Sequence, residues 1–149
     1  MKRLHVNLSV AELDRSIAFY STLFAAPPTV RKPDYAKWMI EDPRVNLSIT
    51  TRGARKGLDH LGVQAEDEAE LHDVWDRLKA AGEPVLEQDE TTCCYATSVK
   101  TWVHDPGGVA WETFVTRGES PVYGGDGAPA GADGAACCVT PVSQPIAIG

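Results

Sequence analysis

The chain of 149 residues is poor in several features, and each shortage narrows what it can be. No apolar run approaches the ~20 residues needed to cross a bilayer, which excludes a membrane-spanning helix. The opening MKRLHVNLSV has basic residues but no continuous apolar core, so no secretory signal peptide is expected. Positive charge is in deficit: 14 Lys and Arg face 21 Asp and Glu, a net charge of −7. That balance argues against nucleic acid and anionic membrane surfaces as partners. A cytoplasmic location is expected, where thiols stay reduced. Cysteine is scarce, and the 4 present form two adjacent pairs, Cys93–Cys94 and Cys137–Cys138. Neighbouring cysteines bridge only in a strained ring, so this spacing makes a poor disulfide framework. Reduced, each pair is a bidentate soft-ligand arm.

What is present is a repeated order of elements in a length that suits one domain. LHVNLSV (4–10) alternates, with Leu4, Val6, Leu8 and Val10 on one face and His5, Asn7 and Ser9 on the other. Leu13, Ile17, Tyr20 and Phe24 recur at helical spacing, and Pro27 and Pro28 end that helix. AKWMIED and RVNLSITT read as strands around an EDPR turn, and 32–37 is open to a loop reading. The second half repeats the order. LDHLGVQA (58–65) sets His60, Gly62 and Gln64 on one face, and Leu71, Val74, Trp75 and Leu78 stripe a helix that Gly82 stops. PVLEQ, TSVKTWVHD and VAWETFV follow as strands, the last two joined by the hairpin turn DPGG. Two copies about 55 residues apart predict modules at 1–56 and 57–116 within one domain. Residues 116–149 hold seven Gly, six Ala and four Pro, so 117–149 is expected to be a flexible tail.

Either histidine alone is most simply a satisfied strand residue. His5 and His60, however, occupy the same position on the polar face of their modules' opening strands. If the modules pair by pseudo-twofold symmetry, the imidazoles meet. Glu112, flanked by Trp111 and Thr113 in the last strand, is costly to bury unless a cation compensates it. Two histidines and a carboxylate form a facial set with open positions. It suits non-haem Fe(II), and Zn, Mn, Co and Ni also accept it. His72 is read as solvated on a charged helix and His104 as a loop residue or an outer support.

The duplicated βαβββ order, the opening LHVNLSVAELDRSIAFYSTLF, the second-module LDHLGVQ and the closing HDPGGVAWETF resemble the glyoxalase/bleomycin-resistance, or vicinal oxygen chelate, superfamily. The resemblance covers about residues 2–116. It implies an α+β fold, a cupped mixed sheet around a divalent metal. His5, His60 and Glu112 match three ligand positions, while the fourth, near Leu47, has no ligand. That pattern is similar to three-ligand members, which leave room for O₂ and substrate. TTCCYATSVKTWVHDPGGVAWETF further resembles the carbon–arsenic lyases and the related cadmium-induced proteins. This implies Fe(II) as cofactor and His5, His60 and Glu112 as its catalytic ligands. It also implies Cys93 and Cys94 as the substrate-binding thiols for a trivalent organoarsenical.

The expected activity is O₂-dependent C–As cleavage of methylarsenite and trivalent aromatic arsenicals to inorganic arsenite. Sequestration of cadmium or arsenic without turnover is the alternative, and a thiol transferase or ring-cleaving dioxygenase with an incidental doublet is a third reading. Cys137 and Cys138 are either a product-binding pair or a solvent metal binder. A monomer and a homodimer both remain open, because modules of this kind pair within or between chains.

Overall fold

Alternation in the opening segment becomes strand β1, Arg3–Ser9, in which His5, Asn7 and Ser9 are buried and Leu4 is half exposed. The polar face of this strand is therefore the inner one. The computed structural model describes residues 1–53 and 55–124. After β1 come α1 (Leu13–Leu23), β2 (Val30–Lys32), β3 (Tyr35–Glu41) and β4 (Arg44–Thr50). The second module follows with β5 (Gly57–Ala65), α2 (Glu68–Ala80), β6 (Leu86–Cys93), β7 (Ala96–His104) and β8 (Ala110–Glu119). The expected pair of βαβββ modules is thus present. Their eight strands form one mixed sheet in the order β2-β3-β4-β1-β5-β8-β7-β6.

The pseudo-twofold relation is visible in the pairing. In each module the first strand runs parallel to the last, β1 with β4 and β5 with β8. The two first strands meet antiparallel at the centre of the sheet. The modules therefore pair within one chain. Each helix covers its own half of the outer face. Ile17 of α1 packs with Ala36, Trp38, Leu47 and Ile49, and Leu71 and Trp75 of α2 pack with Ala65 and Val115. α2 starts at an N-cap: Asp67 accepts from the Glu70 backbone N–H at 2.8 Å, and the Glu70 side chain accepts from the backbone N–H of Glu66, one residue ahead of the cap, at 3.1 Å. Acidic residues fill its first turn and Arg77 and Lys79 its last, as the helix dipole favours. Among the described residues no helix is long and apolar enough to cross a membrane.

Three details depart from the sequence reading. Ahead of AKWMIED lies β2, unread in the sequence, whose three residues pair with β3 from Val30↔Lys37 to Lys32↔Tyr35. A three-residue strand with two charges is too short for a period-two signal. β6 does not stop at Gln88 but continues through the polar DETT to Cys93, with a register irregularity between Gln88 and Thr91. β8 runs on to Glu119 against β7, and Tyr123 is buried beyond it, so residues 117–124 pack with the folded unit. Cys137 and Cys138 lie outside the described residues.

Candidate active site

The inner face of the sheet brings His5, His60 and Glu112 together, with one ligand atom from each within 4.8 Å of the others. Register explains the meeting. Across the sheet His5 pairs with Gly62, and Gly62 pairs with Glu112. Gly62 stands between the two ligands with no side chain of its own. A Cβ there would lie 2.5 Å from the Glu112 carbonyl oxygen and 3.3 Å from the His5 side chain. Glycine at this strand position thus permits the close approach.

Each imidazole is oriented by its outer nitrogen. His5 Nδ1 lies 3.1 Å from the Asn46 carbonyl oxygen and donates to it, which leaves Nε2 facing inward. His60 Nδ1 is 2.7 Å from Asp59 Oδ2. Adjacent residues on a strand normally face opposite sides. Here the β1–β5 register shifts: Asn7 pairs with His60 and Leu8 with Leu58, which makes Asp59 an extra, bulged residue. The bulge turns Asp59 toward its neighbour's ring. Asn7 Nδ2 donates to the same Asp59 oxygen at 3.2 Å, and Ser48 Oγ donates to Asn7 Oδ1 at 2.7 Å. Asn7 is therefore committed to supporting His60. Trp102 adds an edge-on contact to the His60 ring at 5.0 Å between centroids.

Glu112 divides its two oxygens. Oε1 accepts from Lys100 Nζ at 2.7 Å, and both residues are buried. Oε2 faces the histidines, 3.5 Å from His60 Nε2 and 3.8 Å from His5 Nε2. Burial opposes ionisation of Glu112, but Lys100 and His60 hold its carboxyl far below the ordinary carboxylate range. Burial pushes His5 down to about 4. Burial also lowers His60, but hydrogen bonding to Asp59 and the proximity of Glu112 outweigh it and raise the imidazole to about 9. The metal-free site is thus a buried charge cluster.

A divalent ion fits this donor set. The buried His60 Nε2 has no hydrogen-bond partner, although Glu112 is near it. Metal–nitrogen and metal–oxygen bonds of about 2.0–2.2 Å place neighbouring ligand atoms roughly 3–3.5 Å apart. The two Glu112 to histidine separations, 3.5 and 3.8 Å, already lie near that range, and the set, within 4.8 Å overall, draws together around an ion. Two neutral imidazoles and a one-oxygen carboxylate leave coordination positions open, a set accepted by non-haem Fe(II) and other first-row ions. Among the described residues His72 and His104 stand outside this group, and His72 is exposed.

Cys93 and Cys94 line the same cavity as the triad, together with Tyr35, Lys37, Ser98 and Lys100. The sequence reading set the cysteines in a loop. They instead form the tip of the β6–β7 hairpin, where Cys93 pairs with Ala96 and Cys94–Tyr95 is a two-residue turn. Both turn residues have positive φ, 55° and 61°. That is the conformation of a type I′ turn, usually made by Asn-Gly. For a non-glycine residue it costs roughly 1–2 kcal/mol. The turn has a geometric consequence. In a straight strand adjacent cysteines would diverge, whereas here the two Sγ atoms lie 3.2 Å apart. That is well beyond a ~2.05 Å disulfide, and the pair is not bridged to itself. Cys93 is disulfide-bonded in this structure, which corrects the expectation of reduced thiols, so the dithiol form requires its reduction. Cys94 Sγ also donates to the Tyr123 hydroxyl at 3.5 Å. Lys37 faces Cys94 and Glu119; burial lowers its ammonium, and both partners offset part of that.

Sequence reasoning missed three supports: Lys100 on Glu112, Asp59 on His60, and a tyrosine cluster around the thiols. A positive residue at alternating spacing from Trp102 was a weak signal for the first. The other two depend on a bulge and a left-handed turn, which no periodicity reveals.

Comparison with known proteins agrees with this architecture. The chain is 40% identical over 141 residues to a trivalent organoarsenical cleaving enzyme of Thermomonospora curvata, covering 93% of this chain and 89% of that protein. A protein of the same name from Bacillus sp. is 45% identical over 122 residues, covering 78% and 74%. The cadmium-induced protein CadI of Mycobacterium bovis is 39% identical over 125 residues, covering 83% and 82%. Among solved structures, an extradiol ring-cleaving dioxygenase from B. fuscum shares the fold with a TM-score of 0.56 at 17% identity, covering 76% of this chain and 32% of that one. A Mn(II)-bound glyoxalase from Novosphingobium aromaticivorans does so with a TM-score of 0.54 at 14% identity, covering 79% and 39%. Residues 2–113 match the model of the Glyoxalase/Bleomycin resistance protein/Dioxygenase superfamily, and the chain belongs to that superfamily.

Proposed function

We propose that this protein is an Fe(II)- and O₂-dependent enzyme that cleaves the carbon–arsenic bond of methylarsenite and trivalent aromatic arsenicals, releasing inorganic arsenite. The observation that carries the reading is the convergence of two adjacent sulfurs, 3.2 Å apart, on the cavity that holds the His5–His60–Glu112 set. The names of the relatives in Thermomonospora curvata and Bacillus support it.

Trivalent arsenic is soft, and thiolate is its natural ligand. An organoarsenite carries one carbon and two exchangeable hydroxyls. Reduced Cys93 and Cys94 replace those hydroxyls: two As–S bonds form, two As–O bonds break, and each thiol proton leaves in a water molecule. The As–C bond survives this exchange. After the first bond forms, the second thiol acts at an effective concentration of about mM or more. Lys37, beside Cys94, favours its thiolate by proximity of positive charge. His5, His60 and Glu112 Oε2 would hold the ferrous ion, whose open positions would supply O₂ activation next to the captured arsenical. Lys100 Nζ fixes Glu112 Oε1, so the carboxylate offers one oxygen and the remaining positions stay open.

The thiol pair alone would also sequester cadmium or arsenite, since two soft sulfurs bind either ion. Turnover separates the two. Phosphine-reduced protein is loaded with Fe(II) and given an excess of methylarsenite in air, and arsenic is speciated by chromatography. Inorganic arsenite in several-fold excess over protein is expected from the enzyme. Methylarsenic recovered unchanged after denaturation would establish sequestration instead.

A further inference from the structure

The thiol turn belongs to the second module, yet its conformation is secured by the first. The Tyr95 hydroxyl donates to Asp34 Oδ1 at 2.7 Å. Asp34 follows β2, and its other oxygen accepts from Arg52 Nε, just past β4. The Arg52 guanidinium lies 4.2 Å from the centre of the Tyr123 ring, and Lys32 lies 5.3 Å from that of Tyr95. Tyr95 stands edge-on to Tyr123 at 5.5 Å and tilted to Tyr35 at 5.7 Å. These rings pack with Cys93 and Cys94 in one cluster. β2 and β6 are opposite edges of the sheet, so the cluster closes the cup from rim to rim.

We propose that Asp34, held by Arg52, is a positioning residue for arsenical capture: it pins Tyr95 and so keeps the Cys94–Tyr95 turn left-handed, which makes the two sulfurs converge. This rests on the reading that the thiol pair takes the arsenical. Two non-glycine residues of positive φ persist only where surroundings over-determine them. Tyr95 is the side chain of one of the two. Its hydroxyl is the point at which the other module grips the turn. Burial opposes ionisation of Asp34, but the hydrogen bonds from Tyr95 and Arg52 hold its carboxyl below the ordinary value, so the acceptor is ionised at neutral pH. If the grip is lost, the turn can relax toward ordinary strand geometry, in which adjacent cysteines diverge. None of the clasp residues belongs to the His5–His60–Glu112 set, so metal binding is independent of it.

The test uses full-length, phosphine-reduced protein and phenylarsenic(III) as the probe, titrated by intrinsic fluorescence, with Co(II) affinity measured in parallel. Tyr95→Phe removes one hydroxyl and keeps the ring packing, and Asp34→Ala removes the acceptor. Loss of a hydrogen bond to a charged group is expected to weaken arsenical binding about tenfold in each variant. The double variant should be no weaker than the worse single one, because both act through one contact. Co(II) affinity should be unchanged. Arsenical affinity in Tyr95→Phe equal to that of the parent would overturn the proposal, as would additive losses or a parallel fall in Co(II) affinity. Cys94→Ser is the control for the underlying reading. If it binds poorly while Tyr95→Phe binds normally, the clasp alone is refuted; if it binds normally, thiol capture is refuted and the clasp falls with it.

Discussion

Replacing Lys100 with Met isolates the electrostatics of the metal-free site. Lys100 is 2% exposed, and its ammonium sits 2.7 Å from a Glu112 oxygen in the same buried layer. Methionine fills similar volume but leaves the Glu112 carboxylate with only the nearby histidines for compensation. Removing one partner of a buried ion pair costs about 3–5 kcal/mol. For a domain of this size that lowers the melting temperature by roughly 10–15 °C. The assay is calorimetry of chelator-treated protein. Two controls sharpen it. Lys100→Met combined with Glu112→Gln removes both charges and should recover much of the loss. A divalent ion at a hundredfold excess over its dissociation constant adds about 2.7 kcal/mol and should rescue the single variant, because a cation again faces Glu112. A metal-free single variant that melts with the parent would refute the charge-cluster description, and so would a double variant no more stable than the single.

Other outcomes follow from the same geometry. Asp59→Ala removes the partner of His60 Nδ1 and should weaken Co(II) binding by about 10–100-fold with a shifted visible spectrum, measured by titration. Gly62→Ala forces the Glu112 strand and His5 apart and should abolish Co(II) binding while a fold remains by circular dichroism; retained affinity would contradict the close approach. Cys94→Ser should remove most organoarsenical turnover and leave Co(II) affinity intact; full turnover in this variant would exclude two-sulfur capture. pH acts through His60, whose folded value is raised from 6.5 to about 9. The stability of the metal-free protein from this group is present below 6.5 and fades as pH rises through about 9. His5, depressed to about 4, acts oppositely, and its contribution is lost as pH falls from 6.5. A metal must displace the His60 proton, so metal binding at pH 7.5 should release about one proton, read in buffers of differing ionisation enthalpy. Release of no proton would contradict the protonated imidazole.

Much of the site was legible because period two is a strong signal. Placing His5 and His60 on polar faces of equivalent strands was enough to bring them together once the modules paired. Glu112 followed from its place in the last strand, and Gly62 lay in plain view without a reason attached. The parts that escaped are those where period two fails. Asp59 reaches His60 through a bulge, and Cys94 reaches Cys93's side through a left-handed turn. The Asp34–Tyr95 contact joins residues 61 apart on opposite rims, and no local pattern encodes it. β2 was too short to read, and the end of β8, TRGE, has no apolar residue to carry the alternation on.

The central claim is that capture and cleavage are separate acts at one cavity, thiols for the first and the metal set for the second. A single-turnover experiment tests it most directly. Reduced, Fe(II)-loaded protein is given one equivalent of phenylarsenic(III) under argon, freed of unbound arsenic and divided in two. One half is denatured under argon and the other after admission of air, and both are speciated. The expected result is phenylarsenic(III) intact in the first half and inorganic arsenite in the second, with no arsenite from air-exposed His60→Ala protein that still captures the arsenical. Intact phenylarsenic(III) in both halves, or cleavage in the His60→Ala protein, would contradict the account.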